Sequence, residues 1–298
     1  MYKVATLAVA AGALMVLCNW STPAAAQSAE EEVAKQTARL ISDAIAKRVG
    51  DDVDVIYAAP GSQGMVTESA DMLNTVWGTL TYNRVDFDGG FGGSSGVDIF
   101  LGTVGFDHRF DNFIPGISVT GAYATVDQTT GSSAGATVSP YLGYIVNDWF
   151  FLNGLVGVSM SNADIGGGDS DSLGVFTEED ANAVWHSGPW LVTGKAGHRF
   201  RHSRDHEDGF GSTDSDANTL LAGGKAGYRI DPVLLPYVGA QYEYNFNVDA
   251  PDDDFVYLMV GFAMEAAPDF SMDLSGQAEV LDDETTSYNV TWQGRFQF

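Results

Sequence analysis

The sequence predicts an all-β chain: a transmembrane, antiparallel, up-and-down β-barrel of about twelve strands, with ten as the fallback. Segments of ten or more residues alternate apolar and polar positions. Their connections are alternately short and long, and no internal run reaches the roughly 18–20 apolar residues of a helical span. The segment "YNVTWQGRFQF" shows the alternation. Tyr288, Val290, Trp292, Gly294, Phe296 and Phe298 share one face; Asn289, Thr291, Gln293, Arg295 and Gln297 share the other. A period of two marks a strand with a different environment on each face.

The first residues read "MYKVATLAVAAGALMVLCNWSTPAAAQS", with a positive Lys3, an apolar stretch from Val4 to Leu17 and small residues Ala24–Ala26. That order predicts a secretory signal cut after Ala26. Cys18, the single cysteine, leaves with it, so disulfides play no part in the exported chain. Bulky Leu17 argues against lipid attachment at Cys18. The net charge is −26, and the 14 lysines and arginines, less Lys3, leave 13 against 40 acids. Nucleic-acid binders carry basic patches, so this balance excludes that class.

"SAEEEVAKQTARLISDAIAKRVGDD" follows. Val33, Thr37, Leu40, Ile41, Ala44, Ile45 and Val49 recur at helical spacing, with Glu30–Glu32 in the first turn and Lys47-Arg48 in the last. Gly50 ends the pattern. This is one amphipathic helix, expected to lie inside the barrel lumen. A linker with the Pro60-Gly61 turn signal runs to about Leu73. The expected organisation is a signal peptide over 1–26, helix and linker over 27–73, and the barrel over 74–298.

Candidate strands begin near Thr75 ("TVWGTLTYNRV"), Val97 ("VDIFLGTVGFDHRF"), Gly116 ("GISVTGAYATV"), Thr137 ("TVSPYLGYIV") and Phe150 ("FFLNGLVGVSM"). After an acidic interval they resume near Val184, Asn218, Leu235, Phe255, Ser271 and Ser287. "LVTGKAGHRF" (Leu191–Phe200) and "LAGGKAGYRI" (Leu221–Ile230) form a near-repeat, and both read as strands running inward to a short turn. An antiparallel sheet then needs an outward strand between them. The even count of bacterial barrels puts a twelfth, poorly formed strand in the polar interval Arg201–Asp216. Connections such as "DNFIP", "ND", "DPV" and "APD" are short. "DGGFGGSSG", "SNADIGGGDSDSLGVFTEEDAN", "DAPDDD" and "LDDETT" are longer and mostly acidic, as expected of the outer rim.

A soluble barrel satisfies the same alternation with its faces exchanged. Its interior, with so many strands, would be too wide for side chains to fill. The strands also match the 9–11 residues of a tilted membrane strand. Tyr82, Tyr123, Tyr144, Tyr244, Phe246, Trp292 and Phe296 stand where interfacial girdles are expected. The polar faces put Lys195, Arg199, Lys225, Arg229 and Arg295 in the lumen, to pair with Glu243, Asp273, Glu279 or helix acids.

The run "VWGTLTYNRVDF…GVDIFLGTVGFDHRF…GISVTGAYATV…VSPYLGYIVNDWFFLNGLVGV" resembles the autotransporter (type V secretion) β-domain. The Trp-Gly of its first strand, the Pro-Tyr strand and the hydrophobic returning strand carry the likeness. "TARLISDAIAKRV" is similar to the helix that precedes such barrels, and "TWQGRFQF" to their terminal strand. The resemblance spans roughly residues 30–298. It implies an outer-membrane barrel recognised by the assembly machinery through Trp292, Phe296 and Phe298. The signal and the helix leave no room between them for the family's large passenger. The expectation is therefore a passenger-less barrel with a structural or surface-interaction role.

The alternatives are a small diffusion porin and, third, a hydrolase with a site at the outer rim. His198, His202 and His206, with His186, Asp205, Glu207 and Asp208 nearby, suggest a metal cluster. The neighbouring Arg199, Arg201 and Arg204 argue against a cation. Ser203, His202 and Asp205 are close in sequence without the pattern of a preorganised triad. "DAPDDDF" and "GGGDSDS" lack EF-hand spacing, and "GGFGGSSG" lacks the lysine of a phosphate loop. The expectation is no enzyme and no cofactor. The chain is read as a monomer of the cell outer membrane, in contact with lipid and lipopolysaccharide.

Overall fold

A computed structural model describes residues 74–87, 95–127, 131–164, 169–207, 211–231, 233–246, 254–267, 269–280 and 285–298. The signal, the helix over 28–50 and the linker lie outside the described residues. Twelve strands run in order. They are β1 (Asn74–Phe87), β2 (Ser95–His108), β3 (Phe113–Val126), β4 (Ser132–Asn147), β5 (Phe150–Asp164) and β6 (Asp169–Ser187). The second six are β7 (Trp190–Glu207), β8 (Gly211–Tyr228), β9 (Leu234–Asn245), β10 (Asp254–Ala267), β11 (Phe270–Glu279) and β12 (Thr285–Gln297).

Each strand pairs with its chain neighbours, and β1 pairs with β12, so the sheet closes. The seam is antiparallel, with Val76 opposite Phe296 and Tyr82 opposite Val290. At its inner end the Phe298 N–H donates to the Asn74 carbonyl at 3.0 Å, and the Asn74 N–H to the Phe298 carbonyl at 3.2 Å. Closure leaves no sheet edge, as a strand protein in hydrocarbon requires.

Alternation separates two surfaces. Leu80, Val104, Ile117, Leu142, Val156, Leu258, Val260 and Val290 point outward and are exposed. Thr79, Thr81, Asn83, Thr103, Thr120, Ser139, Asn289 and Gln293 point inward and are buried. The lumen surface is itself divided. Trp77, Ile114, Tyr141, Ile145, Phe151, Leu155, Phe176 and Val184 form one apolar cluster, and Val85, Val97, Ile99, Leu101, Ala124 and Val126 a second, so the inner side of β1–β6 carries two apolar patches among its polar residues. Its aromatics lie over glycines of the adjacent strand. A Cβ added to Gly105, Gly116 or Gly157 would run into the ring of Trp77, Tyr141 or Phe176. Glycine here lets an aromatic lie flat across the wall.

The strand count agrees with the sequence expectation, but the twelfth strand lies elsewhere. The acidic stretch expected to be a loop, Ser161–Asn182, holds among its described residues the end of β5 (to Asp164) and most of β6 (from Asp169). The interval Arg201–Asp216 contains no separate outward strand among the described residues; it finishes β7 and begins β8. The near-repeats run in opposite directions as paired neighbours, with Gly194 opposite Gly224 and Ala196 opposite Ala222. Alternation carries no direction, so two similar segments read alike whether parallel or antiparallel.

With 19, 18 and 18 residues, β6, β7 and β8 are the longest strands and overshoot the rest on the side of the longer connections. On the other rim, β6 turns into β7 through Gly188, whose φ of 59° suits a residue without Cβ.

Candidate functional site

The chemistry is concentrated on the lumen side of β5–β9. Glu178 on β6 and Arg199 on β7 are register partners, and both are buried. Arg199 Nε donates to Glu178 Oε2 at 2.6 Å, and its Nη1 lies 3.8 Å from Glu243 Oε2 on β9. Lys195 Nζ lies 3.4 Å from Glu178 Oε1 and 3.7 Å from Asp180 Oδ2. Gln241 Nε2 donates to Glu243 Oε1 at 2.7 Å. Asn153 Nδ2 donates to Asp180 Oδ2 at 3.0 Å, and Asn182 Nδ2 to Asn153 Oδ1 at 2.7 Å. The result is a polar band built from four strands, β5, β6, β7 and β9, in which buried charges are paired and hydrogen-bonded, the condition for holding ions away from water.

Towards the short-turn rim this band borders a cavity of about 160 Å³. Phe151, Leu191, Lys195, Lys225, Tyr237 and Asp273 are among its walls. Lys225 Nζ sits 5.4 Å from the centre of the Tyr237 ring, whose hydroxyl donates to Asp273 at 2.9 Å. Across the lumen, Trp77 Nε1 donates to the Tyr141 hydroxyl at 2.8 Å, and that hydroxyl donates to Asp107 at 2.8 Å. At the far end of β1, Arg84 bridges Asp86, Asp98 and Asp127 at 2.9, 3.1 and 2.5 Å.

No family profile and no curated protein matches the sequence. Solved structures do match its fold. The translocator domain of autotransporter NalP from Neisseria meningitidis aligns with a TM-score of 0.67 at 12% identity, over 91% of this chain and 98% of that one. The β-domain of the Bordetella autotransporter BrkA aligns at 0.63 and 14% identity, over 76% of this chain and all of that one. The transport unit of AIDA-I from Escherichia coli aligns at 0.56 and 13% identity, over 78% and 92%. The fold is that of an autotransporter β-domain.

Within this autotransporter-type barrel, the lumen charges read from the sequence fall as follows. Lys195, Arg199, Glu243 and Asp273 lie inside, in the contacts given above. Lys225 lies inside beside Tyr237. Glu279 on β11 and Arg295 on β12 occupy the lumen-facing parity of their strands, each partly buried. Arg229 stands beyond the end of β8, exposed at the short-turn rim, where its N–H donates to the Pro189 carbonyl at 2.7 Å. Trp292 and Phe296 face outward on β12, and Phe298 follows that strand at the seam.

Arg199 pairs with Glu178 as well as with Glu243, one of its expected partners, Lys195 lies beside Glu178 and Asp180, and Arg201 is a further buried inward cation. Glu178 and Asp180 were hidden in a stretch read as loop, and Arg201 in the interval expected to hold the twelfth strand. The signal was present on the opposite parity: Leu173, Val175, Thr177, Ala181, Ala183 and Trp185 are apolar or weakly polar, interrupted by one acid.

His198, His202 and His206 stand four residues apart along the outer side of β7, roughly 13 Å per step for an extended chain. They bond separately to Asn218, Asp216 and Ser212 at 3.2, 2.7 and 3.1 Å. The proposed hydrolytic residues do not converge either. Ser203 and Asp205 lie on the inner parity of β7 and His202 on the outer, and Ser203 Oγ bonds Ser215 Oγ at 2.7 Å. Of the acidic candidates, Asp249–Asp253 and Gly166–Gly168 lie outside the described residues. Asp171, on β6, accepts from Asn162 at 2.8 Å.

Proposed function

We propose that this chain is an integral barrel of the outer membrane with a closed lumen, in which the amphipathic segment 28–50 sits as a plug. Its role is structural or surface-interacting, without a transported passenger. The observation that supports the plug most is the amphipathic lumen itself. A water-filled pore gives no reason to line β1–β6 with Trp77, Val97, Ile99, Leu101, Ile114 and Phe151. A helix with one apolar and one charged face suits a wall that carries two apolar patches on one side and Lys195, Arg199, Glu178 and Asp180 on the other. The outward apolar belt, ringed by Tyr82, Phe100 and Tyr123 above and Trp149, Trp185 and Trp190 below, supports insertion in a bilayer. We further propose lipid and lipopolysaccharide as surroundings and the terminal strand, through Trp292, Phe296 and Phe298, as the segment read by the assembly machinery.

Deleting residues 28–50 tests the plug. Single-channel conductance in planar bilayers should rise from a closed baseline to steady openings; an unchanged closed trace rules the plug out. The cavity beside Lys195 and Lys225 favours a second reading, a small diffusion channel. That reading requires the intact protein to permit liposome swelling in small sugars, whereas the plugged barrel leaves liposomes unswollen.

A further inference from the structure

The outer surface of β6–β8 differs from the rest of the belt. Glu179 is exposed on the outward parity of β6, where Ala181, Ala183 and Trp185 lie on one side of it and Thr177, Val175 and Leu173 on the other. On β5 its register partner is Gly154, between outward Leu152 and Val156. The carboxyl therefore stands within the apolar belt, not at its edge. Its register partner on β7 is His198, also outward, which bonds Asn218 on β8 at 3.2 Å. Towards the short-turn rim from them the outward residues are Gly194, Ala196, Ala222, Gly224 and Ala226, where other strands carry Leu, Val, Ile and Phe; towards the other rim stand Phe200 and Phe246, with Leu220 opposite His198 on β8.

We propose that this face docks a second copy of the same chain. An ionisable group facing hydrocarbon is costly and marks a polar partner at the same depth. A lipid headgroup does not reach that level, so the partner is protein. The face carries its own complement: a two-fold axis between Glu179 and His198 sets each Glu179 against the partner's His198. That is the self-matching contact of a closed dimer. Small residues on β6–β8 let two sheets approach closely, as they do between membrane helices. A dimer departs from the monomer expected from sequence. The inference rests on the outer-membrane reading.

The test is disulfide trapping in intact outer membranes, since the exported chain has no cysteine once Cys18 is removed. Ala181→Cys, Ala196→Cys and Ala222→Cys are made singly, with Val138→Cys on the outer side of β4 as control. Mild oxidation should give a band of twice the monomer mass from at least one of the three, and none from Val138→Cys. Adding Glu179→Lys should cut the trapped fraction about tenfold, equivalent to about 1.4 kcal/mol. The exchange Glu179→His with His198→Glu should restore it. Folding of each variant is read from its heat-modifiable migration, and the cysteine series decides the question even if a charge variant fails to fold. Equal trapping at all four positions, or none at the three, in a folded membrane-inserted barrel overturns the dimer and leaves the outer-membrane reading intact. Loss of membrane insertion by the unaltered protein overturns both.

Discussion

On β1–β5 the inner side holds Val97, Ile99, Leu101, Ile114 and Phe151, and the outer side holds Leu80, Phe100, Val104, Ile117 and Val156. On β6–β9 the inner side holds Glu178, Asp180, Lys195, Arg199 and Glu243, and the outer side holds a patch of alanine and glycine on β7–β8 beside Glu179 and His198. One wall is apolar outside and mixes two apolar patches with threonines, serines and asparagines inside; the other is charged within and interrupts its apolar outer face with alanine, glycine, Glu179 and His198. The simple rule of apolar outside and polar inside describes neither wall fully. The apolar patches inside are the part the proposed plug would cover, and Glu179 with His198 outside the part the proposed second copy would meet.

The largest expected effect sharpens that contrast at the charged wall. Arg199→Ala leaves Glu178 and Glu243 buried with a principal partner gone, and should destabilise the barrel by about 3–5 kcal/mol in urea unfolding from lipid vesicles. On the apolar wall, Ile99→Ala should cost about 2–3 kcal/mol in the same assay. If that wall faces open water, Ile99→Ala will instead be close to neutral. The smallest effect belongs to the overshooting part of β7–β8, beyond the membrane belt. There Arg204 grips Asp214 through Nε at 2.6 Å and Nη2 at 3.0 Å, in full solvent exposure. Arg204→Ala should leave the unfolding midpoint unmoved, because exposed pairs are screened by water and salt.

That same pair has a defined pH response. The hydrogen bond from Arg204 holds the Asp214 carboxyl below its ordinary range. A lowered carboxylate favours the folded pairing above the unfolded value near 3.9. The pairing then persists through the ordinary carboxylate range and is lost as the pH falls through the depressed folded value. Carboxyl-carbon NMR of labelled aspartate should show this midpoint lowered, and Arg204→Ala should return it to the ordinary range.

The fold was legible because alternation over ten or more residues survives wherever one face meets hydrocarbon, as in Tyr288–Phe298. It failed at β6, where Glu178, Glu179 and Asp180 put acids on both faces in succession and erase the period. The cations that make Glu178 and Asp180 tolerable inside, Arg199 and Lys195, are contributed by the next strand. A linear reading therefore sees an acidic run, not a paired one. The near-repeat misled for a different reason: alternation fixes which residues share a face but not which way the strand runs. Lys195, Arg199 and Glu243 were visible as lumen charges because their own strands alternate cleanly. Arg229 lost that position because β8 ends one residue before it.

The most direct test concerns which side of the wall meets hydrocarbon. Single-tryptophan variants retaining either Trp292 or Trp77 are reconstituted in vesicles of lipids brominated on their acyl chains. Trp292, outward on β12, should be strongly quenched, and Trp77, buried inside against Tyr141, should stay bright. Equal quenching of the two, or quenching of Trp77 alone, would contradict the account.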